Sequence, residues 1–194
     1  MTKQAETPLP FRGWRKGRIP VTHAPEGQAT IAEMKGRLLG SLDVHGLVDT
    51  PERLERGGWV GSGSYIRGRF RFLVPKEYTH LLVENSSNEL PFFRWKAGFL
   101  TSEDCRELTG TVTGGCPDVL RHHGPATTAL LEVGSGYAHV RHTRPDAAPE
   151  DRHHDIINFS KGPFRGRVEI PGPGLILIDT LVRWKLTVSS SPSA

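Results

Sequence analysis

From Trp59 onward, apolar and polar residues alternate with a period of two. In RGRFRFLV, Phe70, Phe72 and Val74 share one face while Arg67, Arg69 and Arg71 share the other, as side chains do on a strand. In FFRWKAGF the inner set is Phe93, Trp95, Ala97 and Phe99, leaving Arg94 and Lys96 outside. In VRWKLTV it is Val182, Trp184, Leu186 and Val188. Further strands are predicted near 107–112, 118–122, 126–133 and 137–142, with turns at Gly114-Gly115, Gly124-Pro125 and Gly134-Ser135-Gly136. Pro171-Gly172-Pro173-Gly174 is a forced turn, and 143–155 reads as a long exposed loop. Upstream the pattern is less regular. Residues 29–46 read as a short helix or coil followed by a strand, with Thr30 and Glu33 spaced as a capping box. DTPERLERGG reads as a helical turn, capped at Asp49 or Thr50, with Pro51 first and Gly57 last.

The same phrase occurs twice. Residues 67–96, RGRFRFLVPKEYTHLLVENSSNELPFFRWK, are matched by 165–185, RGRVEIPGPGLILIDTLVRWK. Each has Arg-Gly-Arg, a strand ending at a proline, an apolar run closing on a carboxylate, and Arg-Trp-Lys. The first copy is longer, around Asn85–Pro91 and near Pro75. A repeated unit reveals architecture that single elements do not. It predicts an all-β protein, an antiparallel β-sandwich of jelly-roll type with two internally related halves and little helix. The halves fall at 29–112 and 113–188, between a basic N-terminal arm, 1–28, and a disordered tail, 189–194.

Composition changes this picture little. Gly 22 and Pro 15 suit short strands with many turns, and 194 residues can bury a core without disulfides. Cys105 and Cys116 are the only cysteines. With no apolar leader at the N-terminus and no long apolar run, reduced thiols and a cytoplasmic site, or one within a phage particle, are the expectation, away from any membrane. Charge is more telling. The net +4 resides entirely in the first 18 residues, where Lys3, Arg12, Arg15, Lys16 and Arg18 face only Glu6. Phe11 and Trp14 lie between those cations.

The C-terminal pattern runs through a strand ending at Ile170-Pro171, a glycine turn, LILID and a Trp-centred closing strand. It resembles the small jelly-roll modules of prepeptidase-C-terminal type found in bacterial proteins. Val140-Arg141, Asn158-Phe159, Gly162-Pro163, Ile170-Pro171, Gly174 and Ile178-Asp179 are also similar to a short bacterial β-sandwich family found beside TIR domains. These likenesses cover about residues 137–188. They imply accessory or interaction modules and carry over no catalytic residue.

Candidate chemistry is sparse. Alternation places Trp95 and Trp184 in the core, leaving Trp14 and Trp59 freer. Six of nine histidines, His122, His123, His139, His142, His153 and His154, cluster in sequence, but adjacent strand residues face oppositely and no HxH or HExxH spacing occurs. No metal, cofactor or catalytic residue is therefore assigned. Clustering of His122, His139 and His153 would argue instead for an enzyme. Ser62 lacks the strand–turn–helix setting of a nucleophile elbow. The binding candidates are cationic: Phe11, Arg12, Trp14, Arg15, Lys16 and Arg18 in the arm, and Arg67, Arg69, Arg71, Arg94 and Lys96 on a strand face. Such cation–aromatic alternation suits nucleic-acid phosphates, an acidic protein surface or a neighbouring subunit. The expectation is a non-catalytic interaction or assembly protein that binds a protein partner or its own copies as a homo-oligomer. A carbohydrate- or other ligand-binding sandwich and a hydrolytic or metal-dependent enzyme are the alternatives.

Overall fold

The computed structural model describes residues 8–14, 16–37, 41–64, 68–85, 94–144, 153–159 and 162–188. Its described residues form strands, one short 3-10 turn at Ser102–Asp104 and no α-helix. No helix among them is long and apolar enough to cross a membrane. Two compact units result, Met1–Ala24 with Thr30–Thr101, and Pro25–Ala29 with Ser102–Ala194. The division therefore falls at Thr101, where a strand ends, and not at residue 112.

The first unit has eight strands: β1 (Phe11–Trp14), β2 (Gly17–Pro20), β3 (Thr30–Arg37), β4 (Ser41–Thr50), β5 (Arg53–Ser64), β6 (Arg69–Val74), β7 (His80–Asn85) and β8 (Arg94–Thr101). They form two antiparallel sheets, ordered β1-β8-β3-β6 and β2-β7-β4-β5. The inward set includes Ile19, Met34, Leu42, Val44, Phe70, Val83 and Trp95, all buried.

The second unit opens with a two-residue strand, β9 (Arg106–Glu107). It continues through β10 (Thr111–Gly114), β11 (Asp118–His122), β12 (Thr127–Val133), β13 (Ala138–Thr143), β14 (His153–Phe159), β15 (Phe164–Ile170), β16 (Gly174–Asp179) and β17 (Trp184–Val188). Its sheets run β10-β17-β12-β15 and β14-β13-β16-β11-β9, with β9 joining in parallel. Leu120, Val140, Ile176 and Ile178 from one sheet meet Leu131, Val168, Trp184 and Leu186 from the other in one core.

β1 to β8 and β10 to β17 have the same wiring, the jelly-roll order, so each half predicted from the repeat is a complete sandwich. The registers coincide too. Gly13 lies opposite Trp95, and Gly114 lies opposite Trp184. At both glycines a Cβ would overlap the indole ring, so the closing tryptophan fits only beside a residue without a side chain. Both indoles are buried, as alternation required.

Four sequence expectations are corrected. The arm is not a lead-in: β1 and β2 occupy one edge of each sheet of the first unit, with Ile19 fully buried. The helix expected after Ala29 is instead β3, which lies between β8 and β6 and turns Ala32 and Met34 inward; β4 follows. Sheet pairing on both sides outweighs the helix-favouring local composition. DTPERLERGG is a hairpin: Thr50 ends β4, and its hydroxyl accepts the Arg53 N–H at 3.1 Å across the turn into β5. The predicted loop also yields to strand at His153–Asp155, which pairs with β13, while 145–152 and the tail 189–194 lie outside the described residues.

A candidate anion-binding face on the first unit

The β1-β8-β3-β6 sheet turns its apolar alternation inward and its cations outward. Register aligns Arg12 with Lys96, Lys96 with Lys35, and Lys35 with Arg69. Four basic residues, one from each strand, therefore form a transverse row. Interstrand spacing of roughly 4.8 Å makes the row about 14 Å long. Trp14 and Arg94 occupy the adjacent position on the same face. The Arg94 guanidinium carbon sits 4.1 Å from the centre of the Trp14 ring, which remains 52% exposed.

The next row the other way is already neutral. Glu33, fully buried, binds Arg71 through Nε at 2.8 Å and Nη2 at 2.7 Å, and also pairs with Arg69. Gly98 lies beside Glu33, and a Cβ on it would stand 2.6 Å from the Pro8 carbonyl oxygen, so the segment before β1 crosses the sheet there. Arg12, Lys35, Arg94 and Lys96 remain exposed. Among the described residues, none of these four has a carboxylate partner. Like charges directly opposite on neighbouring strands destabilise a sheet.

The second unit supplies the comparison. Its matching row is Thr113, Lys185, Glu132 and Arg165. Glu132, at the position of Lys35, pairs with Lys185 at 3.0 Å and with Arg165 at 3.0 Å. The hydrogen bond from Lys185 holds its carboxyl below the usual range, against the opposing effect of desolvation. One backbone frame thus carries a row with a central carboxylate, net +1, in one copy and a row of four cations in the other.

The sequence candidates distribute unevenly over this geometry. Arg12, Trp14, Arg69, Arg94 and Lys96 come together, and Arg71 lies beside them, bound to Glu33. Lys35, the centre of the row, was missed because its segment read as helix. Phe11 points inward, edge-on to Phe99 with ring centres 5.8 Å apart. Lys16 pairs with Glu84 at 2.8 Å, and Arg18 pairs with Asp49, both carboxylates lying on the other sheet. Glu84 also takes Arg56 at 2.7 Å, and its pKa is lowered, first by the Lys16 hydrogen bond. Arg15 and Arg67 lie outside the described residues.

The side chains of His122, His139 and His142 have separate partners. His122 and His142 face inward and donate to carbonyls, His122 to Pro125 at 3.1 Å and His142 to Gly172 and Pro173 at 3.1 and 3.2 Å. Desolvation lowers the pKa of His142. His139 faces the other way and bonds Asp155 at 2.8 Å. No set of three or more His, Cys, Asp or Glu able to hold a metal occurs among the described residues, which do not include the His153 side chain. Cys105 and Cys116 are buried and unbridged. A cavity of about 790 Å³ in the second unit is lined by Thr127, Thr128, His142, Arg144, His154 and Glu169, among others. Comparison with known protein families and with characterised proteins finds no match.

Proposed function

We propose that this chain is a non-catalytic interaction protein that holds an anionic macromolecule against the outer face of its β1-β8-β3-β6 sheet. The observation that carries this reading is the row Arg12–Lys96–Lys35–Arg69, four cations, set against its counterpart Thr113–Lys185–Glu132–Arg165, where a central carboxylate leaves a single net positive charge. The same frame accommodates a central carboxylate, so the cationic row is not a demand of the fold. An anion laid across it removes the repulsion between adjacent cations and gains several charge contacts at once. Lys35→Glu places the second unit's central carboxylate in the first unit's row without asking the backbone for anything new. On a heparin column, a generic polyanion, the wild-type protein should elute at clearly higher salt than this variant. Coincident elution of the two refutes the assignment of the face.

A second reading, a ligand-binding sandwich, is favoured by the cavity beside His142 and Arg144. Pockets of this size with a few polar side chains are the usual form of small-molecule sites. A ligand there should raise the thermal midpoint of the wild type and not that of Arg144→Ala.

A further inference from the structure

We propose that the anion held on this face is a single-stranded nucleic acid, an inference that rests on the anion-binding role above and names its partner. Phosphate charge alone does not distinguish this partner from an acidic protein. Trp14 does. Its ring is half-exposed on the cationic face, beside the row and not within it, and Arg94 stacks against it. A half-exposed indole with a guanidinium over one face offers its remaining surface for stacking to an unpaired base, while the row binds the backbone. Aromatic platforms joined to cationic tracks are the general means of holding single strands. A carboxylate-rich protein surface would use the cations and leave the indole idle.

A duplex is the poorer fit for a different reason. Its bases are stacked on one another and present only their edges in the grooves, where a helix or a ribbon must enter to read them. The face is an open four-stranded sheet, and the described residues place no helix beside it. An exposed sheet surface with aromatic side chains suits splayed, unstacked bases. The free cations of the row among the described residues, Arg12, Lys96 and Lys35, span two interstrand steps, about 10 Å, which exceeds one phosphate and matches a short run of them. Four cations remain for these phosphates, Arg12, Lys35, Arg94 and Lys96, because Arg69 and Arg71 are engaged by Glu33.

The test is fluorescence anisotropy of the full-length protein with labelled oligothymidylate of about 16 nucleotides, at the upper end of single-strand site sizes. Four phosphate contacts predict a log–log salt slope of about −2.8, hence about 50-fold weaker binding between about 50 and about 200 mM salt. Lys35→Glu should weaken binding at least about tenfold at the lower salt and flatten the slope. Trp14→Ala should weaken oligonucleotide binding about tenfold or more, the scale of one lost base stack, and leave competition by poly-glutamate unchanged. Trp14→Phe should recover most of that loss, which a merely misfolded Trp14→Ala would not explain. Oligouridylate run in parallel tells DNA from RNA as the preferred strand. Equal or stronger binding of the matching duplex or of poly-glutamate overturns the inference, as does indifference to Trp14→Ala. If heparin retention still depends on Lys35 in that event, the face binds anions of another class. If it does not, the broader reading fails as well.

Discussion

Trp95 and Trp184 occupy equivalent places in two copies of one frame, and they differ in a hydrogen bond and in a distant cation contact, Arg106 lying 5.8 Å from the centre of the Trp184 ring. The Trp184 indole N–H donates to the Cys116 carbonyl at 2.9 Å, whereas the Trp95 N–H is buried with no partner among the described residues. Replacing each with Phe removes the same atoms from matching sites, so the loss of packing is common to both variants. What differs is the polar balance. Trp184→Phe removes a buried hydrogen bond, at a cost of about 1 kcal/mol. Trp95→Phe removes a desolvated donor that was making no bond, and so recovers a similar amount. Together the two effects put Trp184→Phe about 2 kcal/mol beyond Trp95→Phe. Native-state hydrogen exchange on the full-length protein reads each unit separately, through the slowest amides of β3 and β8 or of β12 and β17. Relative to wild type, exchange in the second unit of Trp184→Phe should accelerate about 30-fold more than exchange in the first unit of Trp95→Phe. Equal acceleration, or a larger effect at Trp95, refutes the reasoning.

Three further outcomes are expected. Gly13→Ala and Gly114→Ala each drive a Cβ into an indole ring and should cost about 1–3 kcal/mol in urea melts, whereas Gly115→Ala, with open space around it, should stay within about 0.5 kcal/mol of wild type. Lys35→Glu, besides weakening anion binding, should stabilise the free protein by about 1 kcal/mol at low salt, and calorimetry in about 1 M salt should find that gain gone. The His142 imidazole is desolvated and its pKa is lowered, so the unfolded chain takes a proton near pH 6.5 while the folded one stays neutral to a lower pH. The thermal midpoint of the wild type should therefore fall as pH drops through that window, and His142→Gln should flatten the fall.

Much of the fold was legible because alternation survives in strands that pack one face on a core. Phe70, Phe72 and Val74 announced β6, and the matching RGR and RWK phrases announced two related halves, though not that each is a whole sandwich. β1 and β2 were hidden because each has four residues, too few to show a period, and their outward positions carry cations that read as a charged tail. Glu33 looked like a helix-capping partner of Thr30, yet it is the counter-ion of Arg69 and Arg71, a role created by register and invisible along the chain. The cationic row is hidden for the same reason. Its members stand at positions 12, 35, 69 and 96, joined only when four strands pair.

The short strands at the start of the chain also act as guards. β1 caps β8 and β2 caps β7, so one ten-residue stretch, 11–20, closes an open margin on both sheets of the first unit. Cutting the chain after residue 20 would bare two rows of unpaired backbone groups and uncover the Trp95 ring beneath Gly13 and Gly17. Unprotected margins of this kind recruit strands from other molecules. The segment that resembles a dispensable basic tail thus covers the two margins at which strands of other copies could add, and a shortened chain should precipitate before it unfolds.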